Sequence, residues 1–177
     1  MNADMKKYLI TLMAGLLLLG AATARAQQED LDAQYATELL KEGLAPDFTL
    51  PGTDGKTYSL KDFKGKTVIL DFWATWCPDC RAEMPQLLAL QKSIQGRKDI
   101  VMVGISCDTD PEKLASYVKE QGITWLQLSD FKAKKDSPIY DTYKVKWIPT
   151  KYVIGPDGKI LLATVVQDKV DAFVAKL

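Results

Sequence analysis

The chain has 177 residues, 47% of them apolar and 26% charged, which fits one globular domain with a short additional segment. Lysine plus arginine and aspartate plus glutamate both number 23, so no net field selects nucleic acid or another polyanion as a partner. Histidine is absent, which excludes Ser-His-Asp and Cys-His hydrolases, the commonest zinc ligand and a Cys-Xaa-Xaa-Cys-His haem attachment.

Taken in chain order, Lys6 and Lys7 precede an apolar stretch from about Tyr8 to Ala22, and Ala24-Arg25-Ala26 precedes a polar run. That order predicts an export signal over residues 1–26, cleaved after Ala26; left uncleaved it would serve as a membrane anchor. Residues 27–44 are polar, with apolar positions at Leu31, Tyr35, Leu39 and Leu40 that predict a short amphipathic lead-in helix. The domain proper is expected over residues 45–177. Ala45 to Leu50 and Thr57 to Leu60 flank Pro51-Gly52-Thr53-Asp54-Gly55 and read as a β-hairpin.

Thr67 to Trp73 is an apolar run suited to a strand covered on both faces. A helix is expected from Cys77 to Gly96 with Pro85 kinking it, then a buried strand over Ile100 to Ser106. Asp110-Pro111-Glu112 opens a second helix that Gly122 closes. A short strand over Trp125 to Leu128 and a short helix over Ser137 to Tyr143 follow. Lys151 to Ile154 and Lys159 to Val165 flank the tight turn Gly155-Pro156-Asp157-Gly158, and Val166 to Leu177 closes the chain as a helix. Strand, helix, strand, helix and then a hairpin imply an α/β fold with a central mixed sheet flanked by helices.

Of three cysteines, Cys77 and Cys80 stand three residues apart. With Cys77 at the helix cap and Pro78 at the first helical position, both sulfurs lie on one face. The helix dipole and unpaired N–H groups favour an anion there, so the Cys77 thiolate is the expected attacker and Cys80 the resolving thiol. Asp79 beside Cys77 disfavours a second negative charge, which points to a reducing pair. Asp71 interrupts the apolar run Val68-Ile69-Leu70-Asp71-Phe72-Trp73. A buried carboxylate is costly, and the functional reading is a proton acceptor behind Cys80; the structural reading is a strand-end aspartate bonded to backbone. Glu83 reads as a solvated helix residue, Cys107 as a small buried side chain, and Trp73, Trp125 and Trp147 as core or rim packing.

The run Asp71-Phe72-Trp73-Ala74-Thr75-Trp76-Cys77-Pro78-Asp79-Cys80, with Pro149 ahead of a strand, resembles the thioredoxin superfamily. Ala45-Pro46-Asp47-Phe48-Thr49-Leu50, Leu60-Lys61-Asp62-Phe63-Lys64-Gly65-Lys66, Arg81-Ala82-Glu83-Met84-Pro85 and the Gly-Pro-Asp-Gly turn are similar to its TlpA/ResA-like branch of exported, often membrane-tethered reductants. The resemblance covers about residues 45–177. It implies a thioredoxin-like fold with an N-terminal hairpin extension, and an extracytoplasmic or periplasmic thiol–disulfide oxidoreductase with catalytic Cys77, Cys80 and Asp71. It further implies a client-contacting set of Trp76, Pro78, Ile148 and cis-Pro149. No metal or organic cofactor is implied. The partners would be disulfide-containing exported proteins and a membrane or periplasmic electron donor. Many members of the branch carry Asn where this chain has Asp71.

Two other readings compete. Ala45-Pro46-Asp47-Phe48 also opens many peroxiredoxins, but the Pro-Xaa-Xaa-Xaa-Thr-Xaa-Xaa-Cys pattern of their site is missing around Cys77. A non-catalytic thioredoxin-like binding module would retain the fold while its disulfide is merely structural.

Overall fold

Thr67–Trp73 is buried at all seven positions, as a strand with neighbours on both edges and layers on both faces must be. This strand, β3, is the centre of the molecule. The computed structural model describes residues 31–177, and the expected export segment 1–26 and the start of the lead-in lie outside the described residues. A two-stranded antiparallel hairpin comes first, β1 (Thr49–Pro51) and β2 (Thr57–Ser59), followed by a 3-10 turn over Leu60–Phe63. After β3 come α1 (Pro78–Ser93), β4 (Ile100–Ser106), α2 (Pro111–Gln121), β5 (Leu126–Leu128), α3 (Pro138–Thr142), β6 (Thr150–Ile154), β7 (Ile160–Thr164) and α4 (Gln167–Val174).

The five-stranded sheet has the order β5-β4-β3-β6-β7. β3, β4 and β5 are parallel, and β6 and β7 run antiparallel to their neighbours. The mixed sheet and flanking helices expected from the sequence are present. The expected helix from Cys77 to Gly96 is shorter at both ends: Cys77 is its cap, and it stops at Ile94, two residues before Gly96 adopts positive φ. α1 runs through Pro85 without interruption. Asp110 caps α2 by accepting from the backbone N–H groups of Glu112 and Lys113, and Gly122 ends that helix at φ 68, which a side chain would strain.

One side of the sheet is packed with rings. Phe72 meets Tyr140, Tyr143 and Tyr152 at centroid distances of 5.2, 5.4 and 6.0 Å. Their hydroxyls are not stranded: Tyr140 donates to the Ile105 carbonyl at 2.8 Å and Tyr152 to the Tyr143 carbonyl at 2.5 Å. Gly104 lies where Gln127 crosses β4; Gln127 accepts from the Trp73 indole at 2.9 Å, and a Cβ at residue 104 would collide with its amide.

The lead-in belongs to the domain. Residues 31–35 are helical, Ala36 and Leu39 are buried, and the Leu40 N–H donates to Tyr152 Oη at 3.1 Å. Asp32 anchors the segment, accepting from Thr164 Oγ1 and the Val165 N–H at 2.8 Å and pairing with Lys169 at 2.7 Å.

Candidate active site

Because β3 and β6 are antiparallel, the carboxyl end of β3 and the amino end of β6 lie at the same edge of the sheet, with Phe72 paired to Thr150. The loop leaving β3 carries Cys77, and the loop entering β6 carries Ile148 and Pro149. This is the edge where ligands and chemistry gather in α/β folds.

Cys77 and Cys80 form a disulfide. Cys77 caps α1 in extended conformation with Pro78 at the first helical position, as the sequence predicts. The Cys80 N–H points at Cys77 Sγ from 3.2 Å, a donor that would stabilise negative charge on that sulfur once the disulfide opens. Both cysteines are nearly enclosed, while Trp76 beside them is 59% exposed. The Ile148–Pro149 peptide is cis, and the Ile148 carbonyl oxygen lies 3.7 Å from Cys77 Sγ. The structure therefore brings together Trp76, Cys77, Pro78, Cys80, Ile148 and Pro149.

The loop before Cys77 is held from β4. Asp108 accepts from the Thr75 N–H at 2.9 Å, from Thr75 Oγ1 at 2.6 Å and from Ser106 Oγ at 2.6 Å. Trp147, 42% exposed and next to Ile148, stacks on Tyr35 of the lead-in with centroids 4.5 Å apart. Each of the two loops thus carries an exposed indole, Trp76 next to Cys77 and Trp147 next to Ile148 in the chain. Cys107 is buried and reduced, with burial pushing its thiol up, in keeping with an inert core side chain.

Asp71 sits inside β3, the strand whose carboxyl end leads into the loop that carries the disulfide, with neither carboxylate oxygen hydrogen-bonded. It is therefore not a strand-end aspartate tied to backbone. Burial pushes its carboxyl from 3.8 up to about 6, partly offset by the Lys151 charge and reinforced by Glu83. The reading of Glu83 as a solvated helix residue is corrected: its side chain is 21% exposed and forms an ion pair with Lys151. Despite that pair, burial holds the Glu83 carboxyl above its usual range. Lys151, expected only as a strand residue, is fully enclosed. The available signal was the spacing Cys80-Xaa-Xaa-Glu83, which puts both on one helix face, and a lysine within the apolar Tyr-Val-Ile strand.

A thioredoxin-like sheet with a Cys-Xaa-Xaa-Cys disulfide at the head of a helix, facing a cis-proline, defines a thiol–disulfide oxidoreductase. The chain belongs to the AhpC/TSA family, which matches residues 42–163. It is similar to the thiol-disulfide oxidoreductase ResA of Bacillus thuringiensis, 33% identical over 146 residues that cover 82% of this chain and 80% of the relative. ResA of Bacillus subtilis is 32% identical, with coverage of 70% and 67%. Among solved structures, a thiol-disulfide oxidoreductase from Bacteroides fragilis superposes with a TM-score of 0.70 at 29% identity, covering 76% of this chain and 98% of that one. A putative thiol:disulfide interchange protein DsbE from Chlorobium tepidum gives 0.68 at 29% identity, covering 78% and 97%.

Proposed function

We propose that the protein is an extracytoplasmic reductant of protein disulfides. In its reduced form, Cys77 attacks a client disulfide, and Cys80 then attacks Cys77 Sγ, releasing the client thiolate and restoring the disulfide. Asp71 is the acceptor of the Cys80 proton. Trp76, Pro78, Ile148, cis-Pro149 and Trp147 contact the client, whose chain lies along the Ile148 backbone as an added strand. Electrons return from a membrane or periplasmic donor. The export location is supported by the lysine pair, apolar run and Ala-Arg-Ala of residues 6–26.

The observation that carries the reductant reading is the charge around the pair. Asp79 lies in the first turn of α1 between the two cysteines, whereas the enclosed Asp71 and the half-buried Glu83 share the Lys151 cation. The Asp79 carboxylate beside Cys77 raises the cost of its thiolate, so the disulfide is favoured and the dithiol gives up electrons readily. The potential should fall nearer thioredoxin, at about −270 mV, than the strong oxidant DsbA, at about −120 mV. Equilibration with glutathione and with dithiothreitol buffers, followed by mass analysis of alkylated protein, measures it. A value above the glutathione range would overturn the reductant assignment.

A further inference from the structure

Lys151 is fully enclosed, yet it faces acids from several elements. Across the β3–β6 ladder it is the direct partner of Asp71, so the two side chains leave the same face of the sheet. Its Nζ pairs with Glu83 on α1, one turn beyond Cys80. From α4, Asp171 feels the Lys151 charge and Asp168 acts on Glu83, as does Asp79 from α1. Tyr140 of α3, packed on Phe72 across the opposite face of the sheet, feels the Asp71 charge through the strand.

Two enclosed carboxyls and one enclosed ammonium cannot all be charged at low cost, because the second anion has no compensating cation. The two acids are not equivalent. Glu83 has the ion pair and some solvent, whereas Asp71 has neither a hydrogen bond nor solvent.

We propose that Lys151 is a positioning residue for disulfide exchange, pinning Glu83 as the permanent carboxylate and leaving Asp71 as the acid that takes up and returns the Cys80 proton. This rests on the reading of Asp71 as proton acceptor. In the resolving step the Cys80 S–H bond breaks and its proton goes to an Asp71 oxygen. The sulfur's electron pair forms the bond to Cys77 Sγ, and the Cys77–client bond breaks with its pair leaving on the client sulfur. The dithiol is oxidised by two electrons and the client disulfide is reduced. Asp71 later returns its proton to solvent. Lys151 touches none of the reacting atoms; it fixes which carboxyl is vacant for the proton.

The full chain in its oxidised form, labelled with ¹³C at aspartate carboxyls, reports the Asp71 titration midpoint by NMR. Lys151→Met removes the cation and should raise the proton affinity of Asp71 by about tenfold or more. Glu83→Gln removes the competing anion and frees Lys151 for Asp71, so it should lower that affinity. Lys151→Arg keeps the charge and should stay within about twofold of the parent. The pH profile of client release from the mixed disulfide should move with the midpoint in each case. Opposite shifts are the signature, since a loosened core would move both variants the same way; if Lys151→Met does not fold, Glu83→Gln and Lys151→Arg still decide. Midpoints that do not move, or that move together, overturn the inference. If Asp71→Asn slows client release but the shifts are absent, the Lys151 role alone fails. If Asp71→Asn leaves client release unchanged, the acceptor reading fails and takes this inference with it.

Discussion

Replacing Asp71 by Asn should make the oxidised protein more stable at neutral pH, and only there. The folded chain holds the Asp71 proton more tightly than the unfolded chain, with affinities corresponding to about 6 against 3.8. Where the folded state binds more protons, stability falls as pH rises. The stability is fully present below 3.8 and is lost as pH climbs through about 6. At about 1.4 kcal/mol for each tenfold in affinity, the loss above pH 6 amounts to about 3 kcal/mol. Asn fills the same space and stays neutral, so its variant escapes that loss. Its amide lacks partners in the pocket just as the protonated acid does, a cost that does not depend on pH. The diagnostic quantity is therefore the difference between the two proteins as a function of pH. Urea unfolding of both at a series of pH values from about 3.5 to 8 should show the difference moving by about 3 kcal/mol in favour of Asn. A flat difference would refute a carboxyl whose proton affinity burial raises, and a shift in favour of Asp would mean that the carboxylate has a strong partner.

Other perturbations test the scaffold around the sulfurs. Cys77→Ser should abolish insulin reduction in a turbidity assay while leaving the far-UV spectrum intact. Asp108→Ala strips three hydrogen bonds from Thr75 and Ser106 and should cost about 3 kcal/mol in chemical denaturation, with slower exchange because the Thr75–Cys77 loop is released. Gly104→Ala drives a methyl group into Gln127 and should cost about 2 kcal/mol, read as a lowered unfolding midpoint. Trp147→Ala removes an exposed indole beside Ile148 and should raise KM for insulin about fivefold, mostly sparing kcat.

The elements from β3 to α4 could be read in the chain because each carries its own local signal. Thr67 to Trp73 is continuously apolar apart from one acid, Pro111 and Gly122 bracket a helix, and Gly155-Pro156-Asp157-Gly158 turns a hairpin. The redox pair was equally legible, since Cys-Pro-Asp-Cys at a helix start places two sulfurs together without help from the rest of the fold. The meeting of cis-Pro149 with the disulfide came from the family resemblance, and what escaped was the charge and ring pairing that depends on register between distant segments. Lys151 pairs with Asp71 only because β6 runs antiparallel to β3 in one alignment. Glu83 looks solvated in isolation and becomes half of an enclosed pair only when that lysine arrives from the other end of the chain. Tyr35 reads as one position of a lead-in helix, yet it stacks on Trp147, 112 positions further on in the sequence numbering. Local chemistry marks the nucleophile, and tertiary packing sets the charge and the surface around it.

The central claim is that Cys77 is the sulfur that engages a client disulfide and Cys80 the one that resolves it. Reduced full-length Cys80→Ser, mixed with insulin and examined by intact mass and peptide mapping, tests it most directly. The account predicts a stable one-to-one mixed disulfide through Cys77 that dithiothreitol removes, and none with Cys77→Ser. An adduct through Cys107, or a reduced Cys77 that leaves insulin untouched, would contradict it.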